Sequence, residues 1–208
     1  NILMNLYFGV AVNAARGVAT QVDTALKQFV NNFTTAVNPQ ITKSYAQGDL
    51  EYMHKLVCRS AKFSAFLMMF FAVPIILETD TILSIWLKTV PDYAAIFLRW
   101  IIFSSFADTV LANALVTSML ATGKIKRYQI VVTTIGCVVF PLSWIAFKLG
   151  FPPQTGYIIY FVVYCILVYV RLYLLKDMIK MPISLYGKLV LVKVVPVMLI
   201  SFIIPGIL

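Results

Sequence analysis

An all-α bundle of about six membrane-spanning helices is what this sequence predicts, on three observations. Of 208 residues, 61% are hydrophobic and only 12% are charged, against roughly 45–50% and 25% in a soluble domain. The mean hydropathy is +0.90, and a soluble fold of this size has no interior large enough to hide so much apolar surface. The remaining charges gather in short runs between apolar segments, the pattern that orients helices across a bilayer. The net charge of +9, from 17 Lys and Arg against 8 acidic residues, is therefore read as orientation, and nucleic-acid binding is set aside. Expected spans cover residues 13–38, 56–77, 93–121, 128–149, 157–175 and 189–208 of a single membrane domain.

Residues 1–12 read as the last turns of a preceding span and a Gly-containing turn. The chain begins with Asn and ends at Leu208 inside an apolar run, so a fragment of a longer protein is expected. The first complete span, 13–38, is unlike the others. At about 100° per residue, Asn13, Arg16, Thr20, Asp23, Lys27, Asn31, Thr34 and Asn38 share one narrow stripe. Gln21, Thr24, Gln28, Asn32 and Thr35 widen it to roughly half the circumference, and Val18, Val22, Leu26, Phe29, Val30, Phe33 and Val37 fill the rest. The segment is roughly 39 Å long, enough to cross a bilayer with tilt. A helix lying on the membrane surface is the plainer reading. If its neighbours all span lipid, however, the polar face must look into a water-filled space inside the bundle, which marks a transporter candidate.

Pro39 is expected to kink or end that helix, and Gly48 with Asp49 forms a helix stop beside an N-cap. Lys43, Lys55, Arg59 and Lys62 outnumber Asp49 and Glu51 around this break, which places it in the cytoplasm. The span 56–77 carries Pro74 near its far end. The next loop holds Glu78, Asp80 and Asp92 against Lys88 and faces outward, with ILSIWLKTVP expected as a short interfacial helix anchored by Trp86. The span 93–121 contains Arg99 and Asp108 and empties into Lys124, Lys126 and Arg127, the strongest cytoplasmic signal in the chain. The span 128–149 contains Pro141, and the neutral turn GFPPQTG follows it outward. After the span 157–175, Arg171, Lys176, Lys180, Lys188 and Lys193 against Asp177 return the chain to the cytoplasm. The last span contains Pro196 and Pro205.

Asp108 lies near mid-span, where a lone charge costs at least about 2.5–3.5 kcal/mol. Asp23 and Lys27 are spaced i, i+4 and can pair within their helix. Two readings follow: the three meet around a central aqueous cavity with one carboxylate titrating during transport, or they form a buried structural ion pair with no part in turnover. Arg16 and Arg99 lie a turn or two from the outward ends of their helices. There they either attract an anionic group such as a phosphate or snorkel to the interface. Asn31 belongs to the same polar stripe. His54, the only histidine, falls in the first cytoplasmic loop and offers no general base. Cys58, Cys137 and Cys165 stand alone and are expected to be packing residues, and no metal spacing, cofactor motif or catalytic motif occurs. The chain is not expected to be an enzyme.

At VNAARGVATQVDTALKQFVNNFTTAVNPQITKSYAQGD, and again at ETDTILSIWLKTVPDY and ATGKIKRYQIV, the sequence resembles bacterial polysaccharide and O-antigen flippases of the multidrug/oligosaccharidyl-lipid/polysaccharide exporter superfamily. The resemblance implies half of a two-lobed, MATE-like transporter of the bacterial inner membrane. The polar helix would be the second helix of the C-terminal lobe, and the N-terminal lobe would be a partner not contained in this chain. The implied function is transfer of an undecaprenyl-diphosphate-linked oligosaccharide to the outer leaflet by alternating access, without covalent chemistry. Membrane lipids surround it, and H+ or Na+ is an implied coupling ion. The family's cationic cavity, carried over by position, reaches Arg16, Lys27 and Arg99, with Asp23, Asn31 and Asp108 beside them. The alternatives are a cation-coupled multidrug exporter, which would want a carboxylate-rich cavity, and a membrane-embedded glycan polymerase or transferase, which would want longer outward loops.

Overall fold

Long apolar runs punctuated by Gly, Pro and charged turns fold as helices, and no strand occurs among the described residues. The computed structural model describes residues 2–110 and 112–207. Asn1, Leu111 within the third expected span and Leu208 at the end of the last lie outside them. Six helical stretches are long and apolar enough to cross a membrane: Ile2–Ala46, Leu50–Leu77, Ala94–Thr122, Ile125–Lys148, Thr155–Ile179 and Ile183–Ile203. This is a multi-pass, all-α membrane protein.

The first helix, α1 (Ile2–Ala46), is longer than the sequence predicts. Its one non-helical residue is Gly9, at φ 79° and ψ −175°, a region open essentially to glycine alone. Two helices meet there across a kink, so the Gly-containing turn expected in residues 1–12 is found at Gly9. Pro39 does not end the helix, which runs on to Ala46. The N–H that Pro39 lacks would have bonded the Thr35 carbonyl, and one turn further on Thr42 Oγ1 donates to the Asn38 carbonyl at 3.2 Å.

Asp49 caps α2 (Leu50–Leu77) by accepting from the Tyr52 backbone N–H at 3.0 Å, as the Gly-Asp signal predicts. The buried face of α2 is built of small residues and methionines: Ser60, Ala61, Ser64, Ala65, Met68, Met69 and Ala72. Lipid gives helices no hydrophobic reason to associate, so close approach over small side chains supplies the contact. His54 is not in a loop: it is buried in α2, and its Nε2–H donates to the Ile179 carbonyl at 2.9 Å.

Then come the short α3 (Thr79–Trp86), where an interfacial helix is expected, and α4 (Ala94–Ser105). A π-helical segment over Phe106–Val110 and α5 (Asn113–Thr122) complete the third span. The fourth is two helices, α6 (Ile125–Cys137) and α7 (Val139–Lys148), meeting at Val138. There the bonding tightens to Val138 N–H→Ile135 O, and Pro141 can offer no N–H to Cys137 O. Next are α8 (Thr155–Ile179) and α9 (Ile183–Tyr186). A second π segment, Gly187–Leu191, leads into α10 (Val192–Ile207).

Helix α1 packs on α2, α4 and α5, while α8 packs on α4 to α7 and α10 closes against α2. The core between them holds Phe97, Ile102, Leu115, Met53, Leu167 and Tyr186.

Candidate functional site

The polar stripe of α1 divides into two parts. Its inner edge turns into the bundle: Asp23 and Thr34 are buried, and Arg16, Thr20, Lys27 and Asn38 are partly so. Its outer edge, Gln21, Thr24, Gln28, Asn32 and Thr35, is exposed through the middle of the span. The threonines do not by themselves require water. Thr20, Thr24 and Thr35 return their hydroxyls to the carbonyls of Arg16, Thr20 and Asn31 at 2.9, 2.8 and 2.8 Å, which satisfies them in a dry setting. The amides do: Gln28 and Asn32 bond each other at 3.0 Å and still leave donors and acceptors open.

Beside the inner edge lies a cavity of about 520 Å³. Arg16, Thr20, Asp23 and Lys27 of α1 line it, facing Ser105 of α4, Tyr157 and Tyr160 of α8, and Gly136, Cys137, Phe140 and Phe147 of the α6–α7 arm. Lys27 Nζ is 2.8 Å from Asp23 Oδ2, the i, i+4 pair the spacing predicts. Ser105 Oγ donates to the other oxygen, Asp23 Oδ1, so the buried carboxylate is satisfied at both oxygens. Arg16 stands beside the phenol of Tyr157, and among the described residues it makes no ion pair.

The other expected site residues go elsewhere. Asp108 does not line the cavity. It sits on the π segment behind Tyr160, whose hydroxyl reaches Asp108 Oδ2 at 3.5 Å. Lys27 and Asp23 lie near it on the cavity side, so Asp108 shares their neighbourhood without touching the ion pair they form. Asn31 is exposed on α1 and accepts from Asn113 Nδ2 of α5 at 3.3 Å. Arg99 turns away to Asp80 of α3 at 2.7 Å and to the Ile76 carbonyl at 3.3 Å, tying the short helix to α4.

One charged residue is not where its sequence context places it. Counted with the cytoplasmic basic run, Arg171 is instead buried in α8, with Nη1 3.8 Å from Asp108 Oδ1. Its Nε and Nη1, and the hydroxyl of neighbouring Tyr128, are buried with no close hydrogen-bond partner among the described residues. The signal for it was five residues of spacing: Arg171 precedes Lys176 by more than a turn and so lies deeper in the span. Tyr157, Tyr160 and Ser105 carried no signal, since each is an ordinary residue in an apolar run.

Cys58 is buried, as a packing residue would be, whereas Cys137, on the cavity wall, and Cys165 are both exposed. No cluster of three or more His, Cys, Asp or Glu able to hold a metal occurs among the described residues.

These features define a multi-pass membrane protein with an ion-paired interior and a cationic cavity beside one amphipathic span. No protein-family model, curated protein or solved structure matches the chain.

Proposed function

We propose that this chain forms part of a transporter of the bacterial inner membrane that moves an undecaprenyl-diphosphate-linked oligosaccharide to the outer leaflet by alternating access. In this reading it is one lobe of a two-lobed, MATE-like protein, and no bond is made or broken. Its support begins with the exposed amide edge of α1. A lipid-facing edge of that kind would be costly through the middle of a span, so the edge faces water between this lobe and its partner.

The observation that carries the reading is the charge balance around the cavity. Lys27 is matched by Asp23 and Arg99 by Asp80, while Arg16 lines the cavity with no acidic partner among the described residues. An unmatched guanidinium recognises a phosphate through paired, charge-assisted hydrogen bonds. A cation-coupled drug exporter is less well served, because Asp23, the acidic residue on the cavity wall, is already neutralised by Lys27.

The test is glycan export by cells making the full-length protein. Without it, the prenyl-diphosphate oligosaccharide accumulates on the cytoplasmic leaflet. Arg16→Ala abolishes rescue at unchanged membrane abundance, and Arg16→Lys restores part of it. Full rescue by Arg16→Ala contradicts the proposal.

A further inference from the structure

Phe147 lines the cavity where α7 meets α1 and α8. Its ring meets Phe8 of α1 edge to face at 5.0 Å and Tyr7 at 6.0 Å between centroids. It is buried and rests directly on Gly156 of α8: a Cβ added there would lie 3.0 Å from Phe147 Cζ. Tyr157, Arg16 and Lys27 line the same cavity.

Both walls that hold this ring hang on joints. The segment of α1 carrying Tyr7 and Phe8 joins the rest of the helix through Gly9, at φ 79°. Helix α7, which carries Phe147, joins α6 at Val138, where Pro141 leaves the bonding incomplete. Helix α7 packs mainly on α8 and touches α1. Its Phe140, Leu142, Trp144 and Ile145 are exposed, so a swing takes only Ser143, Ala146 and Phe147 out of the interior.

We propose that Phe147 is the plug of a gate at the cavity's outward end, opened by movement of α7 about the Val138 joint and of the first α1 segment about Gly9. The proposal rests on the reading of the cavity as a substrate path, and its outward direction rests on the basic residues that place the opposite helix ends in the cytoplasm. Aromatic edge contacts suit such a plug: they are strong enough to hold it shut and carry no buried charge that would have to be desolvated at each cycle.

The test uses a cysteine introduced by Thr20→Cys, at a partly buried position of the cavity wall, in full-length protein whose native cysteines are replaced by Ser, held in right-side-out and inverted membrane vesicles. Its reaction with a membrane-impermeant maleimide is followed peptide by peptide. Phe147→Ala raises the labelling rate from the outward face about tenfold, the shift expected when two aromatic contacts are lost. The rate from the cytoplasmic face stays as it was. Gly156→Ala, whose methyl lifts the ring with little other change, acts in the same direction more weakly.

Unchanged outward labelling in both variants overturns the gate, as does an equal rise from both faces. Glycan export measured in the same strains separates this from the transport reading. Faster outward labelling with wild-type export supports the gate and removes the cavity from the export path.

Discussion

At the scale of single residues, the charged side chains differ in what their loss exposes. Removing Lys27 strands the buried Asp23 carboxylate, and an uncompensated buried charge costs about 3–5 kcal/mol. Lys27→Ala therefore lowers thermal stability in detergent, and Asp23→Asn added to it restores much of the loss. Arg16 has no acidic partner to strand among the described residues, so Arg16→Ala leaves the melting temperature almost unchanged while it affects export. Asp108 and Arg171 form a looser couple at 3.8 Å. Each single neutral replacement, Asp108→Asn or Arg171→Gln, destabilises the protein, and the double replacement recovers more than half of the deficit if the pair is structural. Export decides the rest: a double variant that folds but does not transport makes the pair part of the cycle. The Asp23–Lys27 pair was legible because i, i+4 spacing alone brings those groups together. The Asp108–Arg171 pair was not, because it joins two spans 63 positions apart, and nothing local to either residue encodes which helices become neighbours.

At the scale of elements, α1 holds its neighbours by two means. Apolar residues set Phe29 against Phe71 of α2 at 4.9 Å, while amides and hydroxyls bind α5: Asn113 Nδ2 donates to Thr34 Oγ1 at 3.0 Å and Thr117 Oγ1 to Asn38 Oδ1 at 2.9 Å. Part of the stripe that looked like cavity lining is thus a hydrogen-bonded seam. Asn113→Leu is expected to cost about 1 kcal/mol, the scale of interhelical polar contacts in membranes, read as a lower unfolding midpoint. Gly9→Ala costs about 1–3 kcal/mol for a different reason. No atom lies within 4 Å of the added methyl, so the penalty is the backbone conformation itself. A Gly9→Ala protein as stable as the parent would mean that the hinge straightens freely. Proline was the poorer guide. Pro39 leaves α1 continuous, whereas the joint at Val138 precedes Pro141 by three residues, because a missing N–H disturbs the turn before it.

For the whole molecule, composition and charge runs were enough to predict six spans in an all-α bundle. Apolar length is a property of local sequence, and the bilayer's thickness sets it. Some span ends lie well outside the expected bounds, Ala46 for 38, Leu50 for 56 and Ile183 for 189, since helices continue beyond hydrocarbon until a cap or glycine stops them, while Leu77 and both ends of the third span fall within a residue of expectation. The cavity was legible only as a direction, the side of α1 that wants water; its other walls, Tyr157, Tyr160 and the α6–α7 arm, come from apolar runs whose packing no periodicity reports. The account stands on water reaching the polar side of a span that crosses the bilayer. Cysteines placed singly along α1 of the full-length protein, at Gln21, Thr24, Gln28, Asn32 and Thr35 and at Leu26, Val30, Phe33 and Val37, measure this directly by their rates of reaction with a water-soluble maleimide. The account predicts fast labelling at the first five positions and slow labelling at the other four. Uniformly slow labelling across all nine, or fast labelling on the apolar side, would contradict it.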